Sequence, residues 1–260
     1  MLFRKRERFE RTDVPRENPY RNIIGVVVLV AVFAMLFFVV SQVRSRVSLE
    51  TRLDDSDLGS AISDQTSVTI PDGYSVTSDD LTKVLLLDVA DTSDAGKGTT
   101  LNSARILVIN NTQGVAYLAT IPTESKVTYN DTGYTLADLC AKQGTAACIS
   151  PLSQAAGMKF SHVITSTGDV LDKVAALSGT DSTTLLKTSE SLIAKLRTDL
   201  KASELVSLGA TFATYGVENF VPVEASLAAE TVSAEDGSVS ETGFQTIERV
   251  SLGTAVGLLV

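Results

Sequence analysis

The chain has 260 residues, of which 44% are hydrophobic and 20% charged, and its formal net charge is -9. That is enough apolar material for a packed domain, and the acidic balance offers no basic surface for nucleic acid. One histidine, His162, and two cysteines leave little for a His/Cys metal site.

The charge is uneven along the chain. Residues 1–22 carry seven Lys or Arg against four Asp or Glu, and read as a short basic cytoplasmic tail lying near anionic headgroups. Residues 23–40 follow, 18 residues without a polar side chain. At about 1.5 Å per residue they cover roughly 27 Å, close to the thickness of a bilayer core. A cleaved signal peptide has a shorter apolar region ending in a small-x-small site, whereas this run exits through Ser41-Gln42-Val43-Arg44. The reading is a single-pass signal anchor at 23–43 in a plasma membrane. Its N-terminus is cytoplasmic, by the excess of cations before the span. An extracytoplasmic stalk at 44–80, rich in Ser, Thr and Asp, with one short strand near 67–70, leads to a domain at 81–260.

In that domain apolar runs alternate with helical patterns. Residues 83–90, 104–110 and 115–122 read as strands. The last two flank Asn111-Thr112-Gln113-Gly114, a turn composition, and so pair antiparallel. Residues 135–144 read as a helix capped by Thr135 and ended by Gly144. Residues 150–157 read as another, with Ser150 as cap and Pro151 at the first helical position. Strand 160–166, helices over 168–179 and 183–197, helical spacing over 205–215, strand 217–223, a hairpin around Asp236-Gly237 and a final apolar helix complete the chain. The expected class is α/β: a mixed central sheet between two helical layers, with one N-terminal transmembrane helix.

The order of these elements resembles the LytR-CpsA-Psr family. The resemblance rests on KVLLLDVAD (83–91) as first strand, ILVINNTQGVAYLATIPTESKV (106–127) as hairpin, TLADLCAKQGTAA (135–147) as the next helix and FSHVITSTGDVLDKVAALSG (160–179) as a strand feeding a helix. It implies a single-pass protein of the bacterial cell membrane whose extracellular α/β domain handles polyprenyl-diphosphate-linked glycopolymers during cell-wall assembly. The plasma membrane, a polyprenyl-phosphate lipid and a cell-wall glycopolymer are the partners it implies.

The departures from the family pattern are specific. The family has Arg-x-Asp-Thr before the hairpin, where this chain has Thr100 and Asn102 at the Arg and Asp. The family has Ile-Pro-Arg-Asp after it, where this chain has Thr123 and Glu124. The family's later Arg-rich loop falls after Gly179, where only Lys187 is basic. A charge-assisted hydrogen bond is worth roughly 1.5–3 kcal/mol, so losing three removes about 5–9 kcal/mol of diphosphate binding. In a regular strand alternate residues share a face, so Thr100 and Asn102 are expected to look one way and Arg105 the other. The expectation is a degenerate, non-catalytic binding, scaffold or regulatory element. The alternatives are a divergent phosphotransferase that holds phosphate with Lys97, Lys126 and Arg197 and uses Mg²⁺ or Mn²⁺ at Asp88 and Asp91, and an extracytoplasmic sensor.

Other motifs carry less. Ala95–Thr100 lacks the leading glycine of a P-loop. The spacing of Asp88, Asp91 and Asp94 is not an EF-hand loop. No Gly-x-Ser-x-Gly elbow exists, and His162 reads as a structural histidine without a nucleophile beside it. Cys140 and Cys148 lie on the exported side, eight residues apart across a helix end, and are expected to form a disulfide.

Overall fold

The computed structural model describes residues 53–93, 97–168, 195–201, 203–205, 207–208, 211, 219–233 and 238–260. The basic tail, the apolar run at 23–40, most of the helix expected over 168–179 and all but the last residues of that over 183–197 lie outside them. Among the described residues no helix is long and apolar enough to cross a membrane.

A six-stranded mixed sheet forms the centre. Its strands are β1 (Leu81–Val89), β2 (Leu101–Asn110), β3 (Val115–Ile121), β6 (His162–Thr167), β7 (Arg197–Thr198) and β8 (Phe220–Glu224), in the order β7-β6-β1-β2-β3-β8. β2 is antiparallel to both β1 and β3, while β1 runs parallel to β6 and β3 parallel to β8. The strands β6, β1, β3 and β8 therefore all end at one edge of the sheet. Pro222 sits in the outermost strand, where its missing N–H costs no ladder bond. Two small hairpins complete the β structure: β4 (Lys126–Tyr129) with β5 (Thr132–Thr135), and β9 (Leu227–Ser233) with β10 (Val239–Ile247). The second is the hairpin expected around Asp236-Gly237. The first turns on Asn130 and Asp131, both at positive φ (48° and 59°), as a type I′ turn requires.

Four helices are described: α1 (Ser56–Ser63), α2 (Leu136–Gln143), α3 (Thr145–Ala156) and α4 (Arg249–Ala255). α2 begins where the sequence expects, with the Thr135 hydroxyl accepting from the Asp138 N–H at 3.1 Å and Gly144 closing it. α3 does not begin at Ser150. It starts at Thr145, directly after Gly144, and holds the buried Pro151 inside. Gly144, at φ 88°, lets the chain change direction without a loop.

Within the segment read as a stalk, residues 53–80 pack onto the domain. Asp55 caps α1 through the N–H groups of Asp57 and Leu58. Its backbone and that of Asp54 bond to Thr198 and Leu200, extending the β7 edge. Leu58 is fully buried, and Gln65 exchanges hydrogen bonds with both the N–H and C=O of Phe160. These are contacts across about a hundred residues, invisible to a local reading. Residues 65–70 form no strand.

Helices α1 to α4 share one core with one face of the sheet. Leu85, Leu87, Ala104, Ile106, Ala119 and Ile121 meet Leu58, Leu136, Leu152 and Leu252 there. Cys140 and Cys148 lie in the same core as free thiols, so the expected disulfide is not formed. α2 and α3 turn both side chains inward, and the thiols fill volume as small hydrophobes. Sequence spacing brought them together, but a bridge also needs matching Cβ geometry. Their mutual hydrogen bond holds Cys140 below the ordinary thiol range and, with burial, pushes Cys148 well above it.

Candidate functional site

The second face of the sheet differs from the first along its length. Val84, Leu107, Ile109, Ala116, Leu118 and Ile164 are buried there. Toward the edge where the parallel strands end, burial gives way to a half-exposed strip. In register across it run Ser166, Asp88 and Ser103, then Leu86, Arg105, Thr120 and Glu224. All are half-buried except Glu224, which is exposed. In open α/β sheets ligands bind outside the carboxyl ends of the strands, and that is where this strip opens.

A β-bulge shapes it. Asp88 pairs with Ser103 but Val89 pairs with Leu101, so Asn102 is an extra residue on β2. Leu101 and Ala104 consequently enter the same core although three residues apart. The bulge reverses the alternation, placing Thr100 and Asn102 on the face that carries Arg105. The expectation that Arg105 looks away from those two positions is therefore corrected. Regular alternation assumes an unbroken ladder, and a bulge breaks it.

The residues singled out in the sequence fall into two groups. Asp88, Asp91, Lys97, Thr100, Asn102, Thr123 and Glu124 all gather at the carboxyl edge. Asp88 rests against Gly168, where a Cβ would come within 3.3 Å of its carboxylate. The Asp91 carboxylate accepts from the N–H and hydroxyl of Ser93 at 2.9 and 2.6 Å. Lys97 is exposed in a turn that Gly98 ties to the C-terminal half of α2 through the Ala141 carbonyl. The Thr100 carbonyl accepts from Ala90, and that of Thr123 from Ala137. The Ile-Pro-Thr-Glu turn thus braces the N-terminus of α2 with its backbone.

The other two cations are spent elsewhere. Arg197 lies in register with Thr165 and Leu87, on the helix-covered face. It forks onto Asp55 through Nε at 2.9 Å and Nη2 at 2.5 Å. Lys126 bonds to Glu230 at 2.5 Å and lies 5.1 Å from the Phe244 ring centre. His162, at the opposite end of β6, pairs with Asp199 at 2.8 Å, as befits a structural histidine.

Among the described residues no three His, Cys, Asp or Glu side chains gather as a metal site. Asp88 sits on the face of the sheet, and Asp91 turns both oxygens to Ser93. The two do not form a hard-cation cage, which takes six or more oxygens, and no step is routed through Mg²⁺ or Mn²⁺. What the edge does hold is Arg105, set aside in the sequence as facing away, with Ser103, Thr120 and Ser166, which the sequence did not single out. No local signal marks the bulge that brings Arg105 there.

No family model matches this sequence, and no curated protein matches it. Among solved structures, the transcriptional regulator yvhJ from Bacillus subtilis is similar in fold at 10% identity. It covers 69% of this chain and 95% of its own, with a TM-score of 0.50. TagV from B. subtilis (7% identity, 69% and 95% covered, TM-score 0.47) and TagT bound to LI-WTA (11% identity, 69% and 92% covered, TM-score 0.46) are also similar. At TM-scores below 0.5 these two add nothing to what the first shows, a shared fold.

Proposed function

We propose that this chain is a membrane-anchored, extracytoplasmic element of bacterial cell-envelope assembly, built on a LytR-CpsA-Psr-like fold, that binds or scaffolds rather than transfers. The observation that carries this is the composition of the carboxyl edge. Thr100, Asn102 and Thr123 stand where the resemblance places two arginines and an aspartate. Among the described residues the strip holds one guanidinium, Arg105, with Asp88 diagonal to it and Glu224 in its row, while Asp91, Glu124 and the exposed Lys97 lie at the same edge. A diphosphate would meet more negative charge than positive there, and phosphoryl transfer depends on cations aimed at developing negative charge. A cell-wall glycopolymer or its polyprenyl-phosphate carrier is the partner class.

The test is a transfer assay on the full-length chain in nanodiscs with a polyprenyl-diphosphate-linked glycopolymer, peptidoglycan and Mg²⁺ or Mn²⁺. Neither transfer nor diphosphate hydrolysis is expected. Turnover above a no-protein control would favour the divergent phosphotransferase instead. Anchoring is tested separately: external protease on intact protoplasts should digest the chain from roughly residue 45 onward, and protection of the domain until lysis would overturn the topology.

A further inference from the structure

We infer that Arg105, with the hydroxyls of Ser103 and Thr120, forms a niche for one tetrahedral oxyanion of the phosphate-ester class, on the open strip of the sheet. The inference deepens the binding role proposed above, since it names the chemistry that the strip recognises.

Three observations meet here. Arg105 and Thr120 are direct cross-strand partners, and Ser103 is two residues back on the same strand and face. Side chains so placed stand about 5–7 Å apart at Cβ, within reach of a single phosphate-sized group. All three are half-buried, and among the described residues none of their side chains enters a hydrogen bond or ion pair. Arg197 shows the contrast: the chain satisfies that half-buried guanidinium with a fork onto Asp55. A guanidinium held in the sheet beside two unused hydroxyls is a set of convergent donors, and a tetrahedral oxyanion is the acceptor that fits such a fork.

The niche is sized for one phosphate. Asp88 lies diagonally next to Arg105, opposite Ser103, and Glu224 is two strands away in the same row. A second phosphate group would be pushed toward one carboxylate or the other. The strip therefore discriminates against diphosphate by repulsion as well as by offering one guanidinium among the described residues.

The experiment follows the Arg105 Nε–Hε resonance by NMR in the full chain in nanodiscs during titration with inorganic phosphate, pyrophosphate and geranyl phosphate. Phosphate should shift it saturably, and pyrophosphate should bind at least about threefold more weakly, because its second group gains no cation and meets a carboxylate. Arg105→Gln should weaken binding about tenfold or more, followed on the neighbouring Thr120 amide, and Arg105→Lys less than that. Geranyl phosphate binding at least ~10-fold tighter than phosphate would identify a lipid headgroup as the source, by burial of its chain. Equal affinities would identify a free phosphate group. An Arg105 resonance that no probe moves overturns the inference. So does a Glu224→Gln variant that moves it as far as phosphate does, because the guanidinium would then be spent on Glu224. Transfer activity is read in a different assay, so its presence would overturn the scaffold reading and leave the niche standing.

Discussion

Across β1, β2 and β3 one face of the central sheet stays apolar out to the carboxyl edge, with Ala104 at 0% and Leu87 and Ile121 at 1% exposure. The other is apolar only part of the way. In the very next register positions it presents Leu86, Asp88, Ser103, Arg105 and Thr120 half-exposed. The strands are common to both faces, so backbone pairing cannot explain the difference. It lies in which alternate side chains are apolar and in the single extra residue at Asn102. Stability is concentrated on the first face, and the capacity to meet a ligand on the second.

The largest test of this contrast is truncation on either side of one strand. Leu87→Ala and Ile106→Ala leave cavities in a core shared with four helices, and each should cost about 2–5 kcal/mol in urea denaturation. Leu86→Ala, one residue away on the open strip, should cost about 1 kcal/mol or less. Equal losses at Leu86 and Leu87 would mean that the strip is closed and that the two faces do not differ as described.

The two arginines make the same comparison in charge. Asp55 both caps α1 and pairs with Arg197, the two side chains being 10% and 13% exposed. Asp55→Ala removes the cap and strands the guanidinium, and should cost about 2–3 kcal/mol once residual solvent is allowed for. Arg105→Gln should change stability by no more than about 0.5 kcal/mol, because it releases no partner. A comparable loss at Arg105 would make it a structural residue and remove the basis of the anion niche.

Local signals in the sequence were sufficient for α2 and the β2–β3 hairpin and insufficient for the site. Thr135 and Gly144 bound α2 as read, because capping is settled within four residues. The β2–β3 pair follows from a turn between two apolar runs. The bulge at Asn102 is different: it exists only relative to the partner strand β1, and the alternation of β2 alone conceals it. Arg105 was assigned to the wrong face for that reason. The placement of α1 depends on Gln65 reading the Phe160 backbone, which no window around residue 65 contains. Arg197 lost its candidacy to Asp55, a partner 142 positions away. The β4–β5 hairpin escaped the reading although Asn-Asp suits a type I′ turn, because its two strands are only four residues long.

That turn supplies a smaller test on the helix-covered side, where β4 sends Val127 into the core. Asp131 holds φ 59°, a region in which a residue with a Cβ is strained and glycine is not. Asp131→Gly should therefore stabilise the protein by about 0.5–1 kcal/mol in thermal or urea unfolding. A loss would show that the Asp131 side chain contributes more than its backbone strain costs.

The smallest effect concerns Lys126, the cation committed to Glu230. Glu230 has its carboxyl held below the ordinary carboxylate range, first by the hydrogen bond from Lys126 and then by that from the Thr242 hydroxyl. Because the folded value lies below the unfolded one, this contribution to stability is complete above the ordinary carboxylate range. It is lost as pH falls through the folded midpoint. The Glu230 carboxyl carbon resonance should accordingly titrate below that of a free glutamate, and Lys126→Met should move its midpoint up. The melting-temperature gap between wild type and Glu230→Gln should be widest near neutral pH and close on acidification. A midpoint unmoved by Lys126→Met would mean that the pair is loose in solution. Lys126 would then be free to turn toward the strip, and the balance of charge among the described residues there, on which the case against diphosphate rests, would have to include it.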